Sequence, residues 1–281
     1  MKLGLGTVQF GCSYGISNIK GQVLKDEVKR ILDFAHKNGI DILDTASLYG
    51  NSEEILGQFD LSKFKIVTKT PKIDYAISGK ENLSNFEKAF ENSLVKLNQK
   101  SVYGLLSHES NDLLGEFAND LYNLIRDLKD KGLVEKIGVS VYTPEQLIKI
   151  IEKYEIDLVQ LPMNILDQRF IPILKELKSK NIEIHTRSKF LQGLLLLKEE
   201  KINQYFDSIK NILTSIPSPK LAQALHFVNN IKEVDRIIVG TTCQKDLEEI
   251  VLALNENVEN LDYAKYAISD ERFILPQNWR L

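Results

Sequence analysis

Short apolar and β-branched runs alternate along the chain with longer stretches in which apolar residues recur every three or four positions, as in amphipathic helices. The runs predicted to be strands lie at residues 3–8, 39–44, 65–70, 102–107, 136–140, 157–162, 182–186 and 236–240. The helices are predicted near residues 25–38, 52–59, 83–98, 114–131, 144–154, 170–180, 219–231 and 244–256. The pattern is therefore a strand followed by a helix, repeated eight times.

Eight such units predict a closed parallel barrel. Strands joined by right-handed helical crossovers run parallel, and eight of them favour closure over an open, doubly wound sheet. An open dinucleotide-binding sheet would carry G-x-G-x-x-G at its first turn, and Gly4, Gly6 and Gly11 do not fit that spacing. We therefore predict an α/β fold, a (β/α)₈ TIM barrel that forms a single domain over residues 1–281. Residues from about 187 to 218 are predicted to be an enlarged βα-loop with an extra helix, and those from about 260 to 281 a short C-terminal tail.

Composition narrows the class of partner. The chain has 36 basic and 39 acidic residues without a block of like charges, which excludes a polybasic nucleic-acid surface and predicts a small-molecule partner. No apolar run is long enough to span a membrane, and the start lacks the apolar core of a signal peptide. Cys12 and Cys243 have no metal-binding spacing and are interpreted as free thiols of a cytoplasmic protein. They follow the first and last strands, which become neighbours when a barrel closes, so their approach to each other stays open.

Four ionisable residues stand at or just beyond the ends of three successive predicted strands. Asp44 ends the second strand, Tyr49 lies in the loop that follows, Lys69 stands at the end of the third strand, and His108 follows the fourth. Taken singly, each has a structural explanation such as capping, packing or solvation. Active sites of such barrels lie at the carboxyl ends of the strands, so together these side chains predict a catalytic group.

Carbonyl reduction is the chemistry that suits this group, because hydride attacks the carbon while a proton must reach the oxygen. A tyrosine with a pKa near 10 is a weak acid at neutral pH. We expect the Lys69 ammonium to lower the pKa of Tyr49, Asp44 to hold that ammonium in place, and His108 to orient the carbonyl. Tyr49 is thus predicted to be the general acid.

The sequence also resembles the aldo-keto reductase family. The motifs that carry the resemblance are GLGTVQFG at 4–11, DTASLYGNSEEILG at 44–57, IVTKT at 66–70, LLSHES at 105–110, KGLVEKIGVS at 131–140, VQLPMN at 159–164 and IVGTTCQKDLEE at 238–249. The resemblance implies an NAD(P)H-dependent oxidoreductase that reduces an aldehyde or ketone. The compact loops and the short tail after the last helix favour a small or sugar-derived carbonyl compound as its substrate. The resemblance also explains why the usual nucleotide-binding glycine motif is missing.

Carried over residue by residue, the resemblance assigns the family's catalytic tetrad to Asp44, Tyr49, Lys69 and His108. The residues that it assigns to cofactor binding are Thr7, Ser140, Gln160, Asn164, Arg187, Ser188, Gly240, Thr241, Thr242 and Gln244. Among these, Ser140 and Gln160 match positions that bind the nicotinamide carboxamide. Arg187 takes the position that faces the nicotinamide ring, where a planar guanidinium could stack as an aromatic ring would.

Three positions depart from the family pattern. Lys189 replaces the usual proline, Ile250 replaces an asparagine, and Asp246 stands where many NADP-specific members have arginine. A carboxylate at that position would repel a 2′-phosphate, although the neighbouring Lys245 could compensate. Family habit still favours NADP(H) slightly over NAD(H).

Two other functions stay open. One is a cofactor-binding regulatory subunit with little turnover, and the other is an aldolase that forms a Schiff base on Lys69. No heptad pattern or apolar helix face predicts an oligomeric state.

Overall fold

A computed structural model describes residues 1–16 and 18–280 as a closed parallel barrel, with strand order β1 to β8 and β8 paired back onto β1. The strands are β1 (Leu3–Gly6), β2 (Ile42–Asp44), β3 (Lys65–Lys69), β4 (Val102–Ser107), β5 (Val134–Ser140), β6 (Leu158–Pro162), β7 (Glu183–Arg187) and β8 (Arg236–Gly240). The predicted (β/α)₈ barrel is therefore confirmed.

The helices follow the predicted order with a few additions. They are α1 (Val8–Gly11), α2 (Lys25–Lys37), α3 (Ser52–Leu56), α4 (Gly79–Leu97), α5 (Ala118–Asp130), α6 (Pro144–Ile151), α7 (Leu174–Ser179), α8 (Lys210–Ser215), α9 (Lys220–Asn229), α10 (Gln244–Ala253) and α11 (Glu271–Ile274). α3 is shorter than predicted, because it ends at Leu56 and Gly57 follows as its C-cap. A Cβ on Gly57 would lie 1.9 Å from the carbonyl oxygen of Lys96, so α3 and α4 touch at this point.

Two strands are also shorter than their apolar runs. Residue 8, predicted to end the first strand, instead begins the one-turn helix α1. Gly39, predicted to open the second, has φ +73° and belongs to the turn after α2, so β2 begins only at Ile42. In both places an apolar run continues into a turn, which hydropathy alone cannot detect.

The enlarged loop after β7 contains short 3₁₀ helices at Leu191–Leu196, Glu199–Lys201 and Gln204–Ile209, followed by α8, where one extra helix was predicted. Phe206 in this loop is fully buried. Its ring lies 5.0 Å from that of Trp279 in the C-terminal tail, measured between centroids. The tail therefore packs against the loop.

An apolar layer fills the inside of the barrel. It consists of Ile42, Val67, Leu106, Leu158 and Ile238, one residue from each of five strands. Side chains two positions apart on a strand point to the same face. The residue two positions after each member of this layer therefore also points inward, at the carboxyl end of the barrel.

A polar cluster lies at the opposite, amino-terminal end of the barrel. The Glu183 carboxylate forms an ion pair with Lys136, accepts a hydrogen bond from the Tyr103 hydroxyl at 2.6 Å, and lies 2.8 Å from Nε2 of the fully buried His185. Burial opposes its ionisation, but hydrogen bonds from His185, Lys136 and Tyr103 hold the pKa of Glu183 well below its usual value. Polar residues at this end of such barrels serve stability.

Glu183→Gln should lower the free energy of unfolding by about 2 kcal/mol, because it removes charge-assisted hydrogen bonds from partly buried donors. The folded-state pKa of Glu183 is depressed, so its contribution is complete above the unfolded value, about 4.3, and fades at lower pH. Urea titrations at neutral pH and at about pH 3 should show that the difference in unfolding free energy between wild type and variant is smaller at the lower pH. The exposed Glu135 on β5 supplies the control Glu135→Gln, which should change stability little. A difference that grows as the pH falls would contradict this account.

Within the described ranges, no helix is long and apolar enough to cross a membrane. The same residues contain no group of three or more His, Cys, Asp or Glu side chains arranged to hold a metal ion.

Candidate active site

The four predicted catalytic residues come together at the carboxyl end of the barrel. Asp44 is the last residue of β2, Lys69 is the last of β3, and His108 directly follows β4. Each stands two positions after a member of the apolar layer, which explains why its side chain points inward. Tyr49 reaches the same place from the loop after β2.

A buried ion pair joins Lys69 to Asp44. The Lys69 Nζ lies 2.8 and 2.9 Å from the two carboxylate oxygens and donates a third hydrogen bond to the carbonyl of Thr45 at 2.8 Å. The two side chains are only 1% and 5% exposed. Burial disfavours the ammonium, but the charge and hydrogen bonds of Asp44, together with Tyr49, outweigh burial and raise the pKa of Lys69 above its usual value. Lys69 is therefore a fixed positive charge at neutral pH.

Gln160 also contacts this pair, whereas the sequence assigned it only to the nicotinamide carboxamide. Its side-chain amide donates to Asp44 Oδ1 at 2.6 Å. The amide N–H₂ group thus holds the Asp44 carboxylate, and the side-chain oxygen is the part of Gln160 left for a nicotinamide carboxamide. The two residues are 116 positions apart, so no sequence spacing pointed to this contact.

Tyr49 lies with its hydroxyl 3.4 Å from the Lys69 ammonium. Burial raises the pKa of Tyr49 above its usual value, and the positive charge of Lys69 only partly offsets that rise. The expected lowering of the pKa by Lys69 is thus present as one influence, but burial outweighs it. The phenol carries its proton at neutral pH.

His108 contacts Tyr49 edge to face, with the two ring centroids 5.8 Å apart. Burial, followed by the positive charges of Lys69 and Arg187, lowers the pKa of His108 to about 3. Its Nδ1 is buried and has no hydrogen-bond partner among the described residues. The ring is therefore a neutral imidazole, with one N–H donor and one bare nitrogen.

A cavity of about 640 Å³ opens above these residues. Most of the predicted cofactor-binding residues line it: Thr7, Ser140, Gln160, Arg187, Ser188, Gly240, Thr241 and Thr242. Asn164 and Gln244 are not part of the lining. Asn164 is fully buried and donates to the carbonyl of Ser188 at 3.1 Å, so it supports the turn after β7 from behind.

Arg187 lies in the lining at the carboxyl end of β7. Its guanidinium carbon is 4.4 Å from the centroid of the Tyr142 ring. Its Nη2 donates to the carbonyl of Val141 at 3.0 Å, and its Nη1 donates to the Ser188 hydroxyl at 3.3 Å. The guanidinium therefore stacks on an aromatic side chain of the protein itself, and its orientation is fixed.

Lys189 is a second buried lysine. It donates to the carbonyl of Met163 at 2.8 Å and is only 2% exposed. Burial, followed by the nearby charge of Arg187, lowers the pKa of Lys189 well below its usual value. The replacement of proline by lysine was visible in the sequence, but its burial was not.

Two carboxylates stand at the start of α10, where the cavity ends. Asp246 accepts hydrogen bonds from the backbone N–H of Thr242 at 3.1 Å and from its hydroxyl at 2.6 Å. Glu27 of α2 accepts from the backbone N–H of Gln244 at 2.6 Å. Sequence reasoning missed Glu27, which lies 217 positions away from its partner.

Both cysteines are free thiols. The Cys12 thiol donates to the carbonyl of Val8, and Cys243 Sγ lies 3.7 Å from Lys20 Nζ. Burial raises the pKa of Cys12.

The cavity fits a nicotinamide cofactor. Its volume falls within the range of about 300–1,000 Å³ typical of ligand sites, and it runs from the tetrad to the start of a helix. Gly240 forms part of its wall, where an added Cβ would lie 2.8 Å from the Gln9 side chain. Gln9 Oε1 itself is buried and lacks a hydrogen-bond partner in the described part of the chain.

The fold and the site define a (β/α)₈ barrel with a buried Asp–Lys pair, a protonated tyrosine and a neutral histidine at the mouth of a cofactor-sized cavity. Residues 2–270 match the model of the Aldo/keto reductase family. The chain belongs to the aldo-keto reductase family.

Individual relatives are distant. The chain is 25% identical to the oxidoreductase YqkF of Bacillus subtilis over 221 residues, which cover 74% of this chain and 66% of YqkF. Among solved structures, an aldo-keto reductase of Pseudomonas aeruginosa shares 22% identity with a TM-score of 0.69, covering 90% of this chain and 88% of its own. The aldo-keto reductase AKR11C1 of Bacillus halodurans shares 18% identity with a TM-score of 0.72, covering 94% and 90%. At these identities, the structural likeness shows the fold alone.

Proposed function

We propose that this protein reduces an aldehyde or ketone to an alcohol with a reduced nicotinamide cofactor. The observation that carries the proposal is the protonated Tyr49, 3.4 Å from a lysine that a buried carboxylate keeps positively charged. This arrangement supplies a proton and stabilises the negative charge that its loss leaves behind. The adjoining cavity of about 640 Å³ has room for ligand beside it.

Each member of the tetrad then has one role. Tyr49 donates its proton to the carbonyl oxygen. A reduced nicotinamide, when bound in the cavity, would supply the hydride that the carbonyl carbon receives. The Lys69 ammonium stabilises the tyrosinate that forms, and Asp44 keeps Lys69 charged and in place. His108, as a neutral ring, donates a hydrogen bond that orients the carbonyl without competing as an acid.

The cofactor preference is decided at the other end of the cavity. Family habit slightly favours NADP(H), but Glu27 and Asp246 already occupy N–H groups that a 2′-phosphate could use. The hydrogen bond from Gln244 lowers the pKa of Glu27. Burial opposes the ionisation of Asp246, but hydrogen bonds from Thr242 and Cys243 outweigh it and lower its pKa, so both carboxyl groups are negatively charged at neutral pH. We propose that this geometry favours NADH.

NADH should bind about 10-fold more tightly than NADPH, because one repulsive charge contact is worth roughly that factor. Quenching of the reduced nicotinamide fluorescence measures both dissociation constants without turnover. Asp246→Arg should reverse the preference. Glu248→Gln is the matched control, because Glu248 is an exposed carboxylate of α10 outside the cavity lining. Tighter binding of NADPH by the wild-type protein would support the NADP(H) expectation instead.

A panel of carbonyl compounds with the preferred cofactor tests the proposal itself. Cofactor binding without turnover on any of them would favour the regulatory subunit. Borohydride trapping of a substrate on Lys69 would favour the aldolase. The raised pKa of Lys69 weighs against the aldolase, because a Schiff base forms from the neutral amine.

A further inference from the structure

Arg187 is a cation at the reacting end of the cavity. It lines the same cavity as Tyr49 and His108. After burial and Lys69, its charge is the next influence that lowers the pKa of His108. Arg187 and the tetrad therefore share one electrostatic environment, at the opposite end of the cavity from Asp246.

This cation has no counterion among the described residues. Its hydrogen bonds go to a backbone carbonyl and a hydroxyl, which use two of its five N–H groups. The carboxylates of the cavity lining are Asp44, Asp246 and Glu249. Asp44 is already neutralised by Lys69, and the other two belong to α10. A half-buried cation without an anionic partner is costly, and an anionic ligand would offset that cost.

The guanidinium is also preorganised for such a ligand. Tyr142 supports its plane at 4.4 Å, and the carbonyl of Val141 fixes its rotation. A planar guanidinium held in one orientation presents a fork of N–H groups that matches a carboxylate in two parallel hydrogen bonds. Because the fork is already in place, little side-chain entropy is lost on binding.

We infer that Arg187 binds a carboxylate of the substrate, so that the physiological substrate is a carbonyl compound that carries a carboxylate group. The inference rests on the proposed carbonyl reduction and specifies its substrate class. It also changes the role expected of Arg187, because a guanidinium that stacks on Tyr142 and binds substrate is not chiefly a support for the nicotinamide ring.

The test compares each acid with its own methyl ester. para-Carboxybenzaldehyde and succinic semialdehyde are paired with their methyl esters, so that each pair differs in charge while the aldehyde is retained. Wild-type kcat/KM should be about 10- to 100-fold higher for the acid, the range expected for charge-assisted hydrogen bonds. Arg187→Gln should bring the acid-to-ester ratio of kcat/KM close to 1, whatever it does to the two absolute rates, because the charge that distinguishes the acid from its ester is lost. Arg187→Lys should keep part of it.

The control variant is Lys72→Gln. Lys72 also contributes to the electrostatic environment of His108, but its side chain is 60% exposed and lies outside the cavity lining. The Lys72→Gln variant should therefore keep the wild-type preference for the acids over their esters. Dissociation constants for NADH and NADPH and a thermal melt are measured on every variant, so that an effect on the substrate is separated from an effect on the cofactor or on the fold.

Three outcomes are distinguishable. Equal wild-type kcat/KM for acids and esters would overturn the carboxylate inference while leaving carbonyl reduction intact. If Arg187→Gln lowered cofactor affinity and reduced both members of each pair equally, Arg187 would be a cofactor residue and the inference would be wrong. Reduction of neither acids nor esters by the wild-type protein, despite tight cofactor binding, would count against the proposed function. If Arg187→Gln does not fold, the wild-type ratio and Arg187→Lys still decide.

Discussion

Tyr49→Phe should abolish carbonyl reduction and leave cofactor affinity unchanged. The substitution removes one hydroxyl, whose hydrogen-bond partner among the described residues is Lys69 at 3.4 Å, so the fold should tolerate it. A positioned proton donor typically contributes about 100-fold or more to the rate, and kcat should fall by at least that factor. The consumption of reduced cofactor in the presence of an aldehyde measures the loss, and fluorescence quenching measures the dissociation constant.

Tyr122→Phe is the matched control. The Tyr122 hydroxyl donates to the carbonyl of Glu155 at 3.0 Å on the outside of the barrel, away from the cavity lining. This variant loses the same atom and should keep wild-type kcat. Retention of more than about a tenth of the activity by Tyr49→Phe would exclude Tyr49 as the acid.

The positions of the tetrad residues could be predicted from the sequence because the geometry of a parallel barrel brings the carboxyl ends of successive strands together. Once the runs at 39–44 and 65–70 are identified as successive parallel strands, Asp44 and Lys69 near their carboxyl ends must meet at one end of the barrel. Alternation along each strand then decides which side chains point inward, as the layer around Val67 and Leu106 shows. Strand order and side-chain alternation can both be inferred from the local sequence pattern alone.

The partners of those residues could not be read from the sequence in the same way. The amide of Gln160 on Asp44 and the carboxylate of Glu27 on α10 join residues far apart in the chain. Such contacts depend on side-chain rotamers and on how closely neighbouring elements pack, and residue spacing does not encode either. The net pKa of Tyr49 was missed for a related reason, because the opposing effects of burial and of Lys69 can be weighed only when both are known.

The Asp44–Lys69 pair should be costly to break and much less costly to replace. Asp44→Ala leaves the Lys69 ammonium buried without its counterion, and breaking a pair this well buried costs about 3–5 kcal/mol of unfolding free energy. Asp44→Leu combined with Lys69→Met substitutes apolar side chains of similar volume, so most of that stability should return. The double variant should nevertheless lack carbonyl reduction, because the Lys69 ammonium that lies 3.4 Å from the Tyr49 hydroxyl is gone and no longer stabilises the tyrosinate.

Urea denaturation of the wild type, each single variant and the double variant measures these differences, and activity is assayed where every variant is folded. Asp33→Ala is the control for an exposed pair. Asp33 forms an ion pair with Lys29, both side chains are more than 60% exposed, and its loss should cost less than about 1 kcal/mol. If the double variant were as unstable as Asp44→Ala, the cost would not arise from an unpaired buried charge. If the double variant were stable and still active, the pair would serve the fold alone, and the proton donor would need a different source of stabilisation.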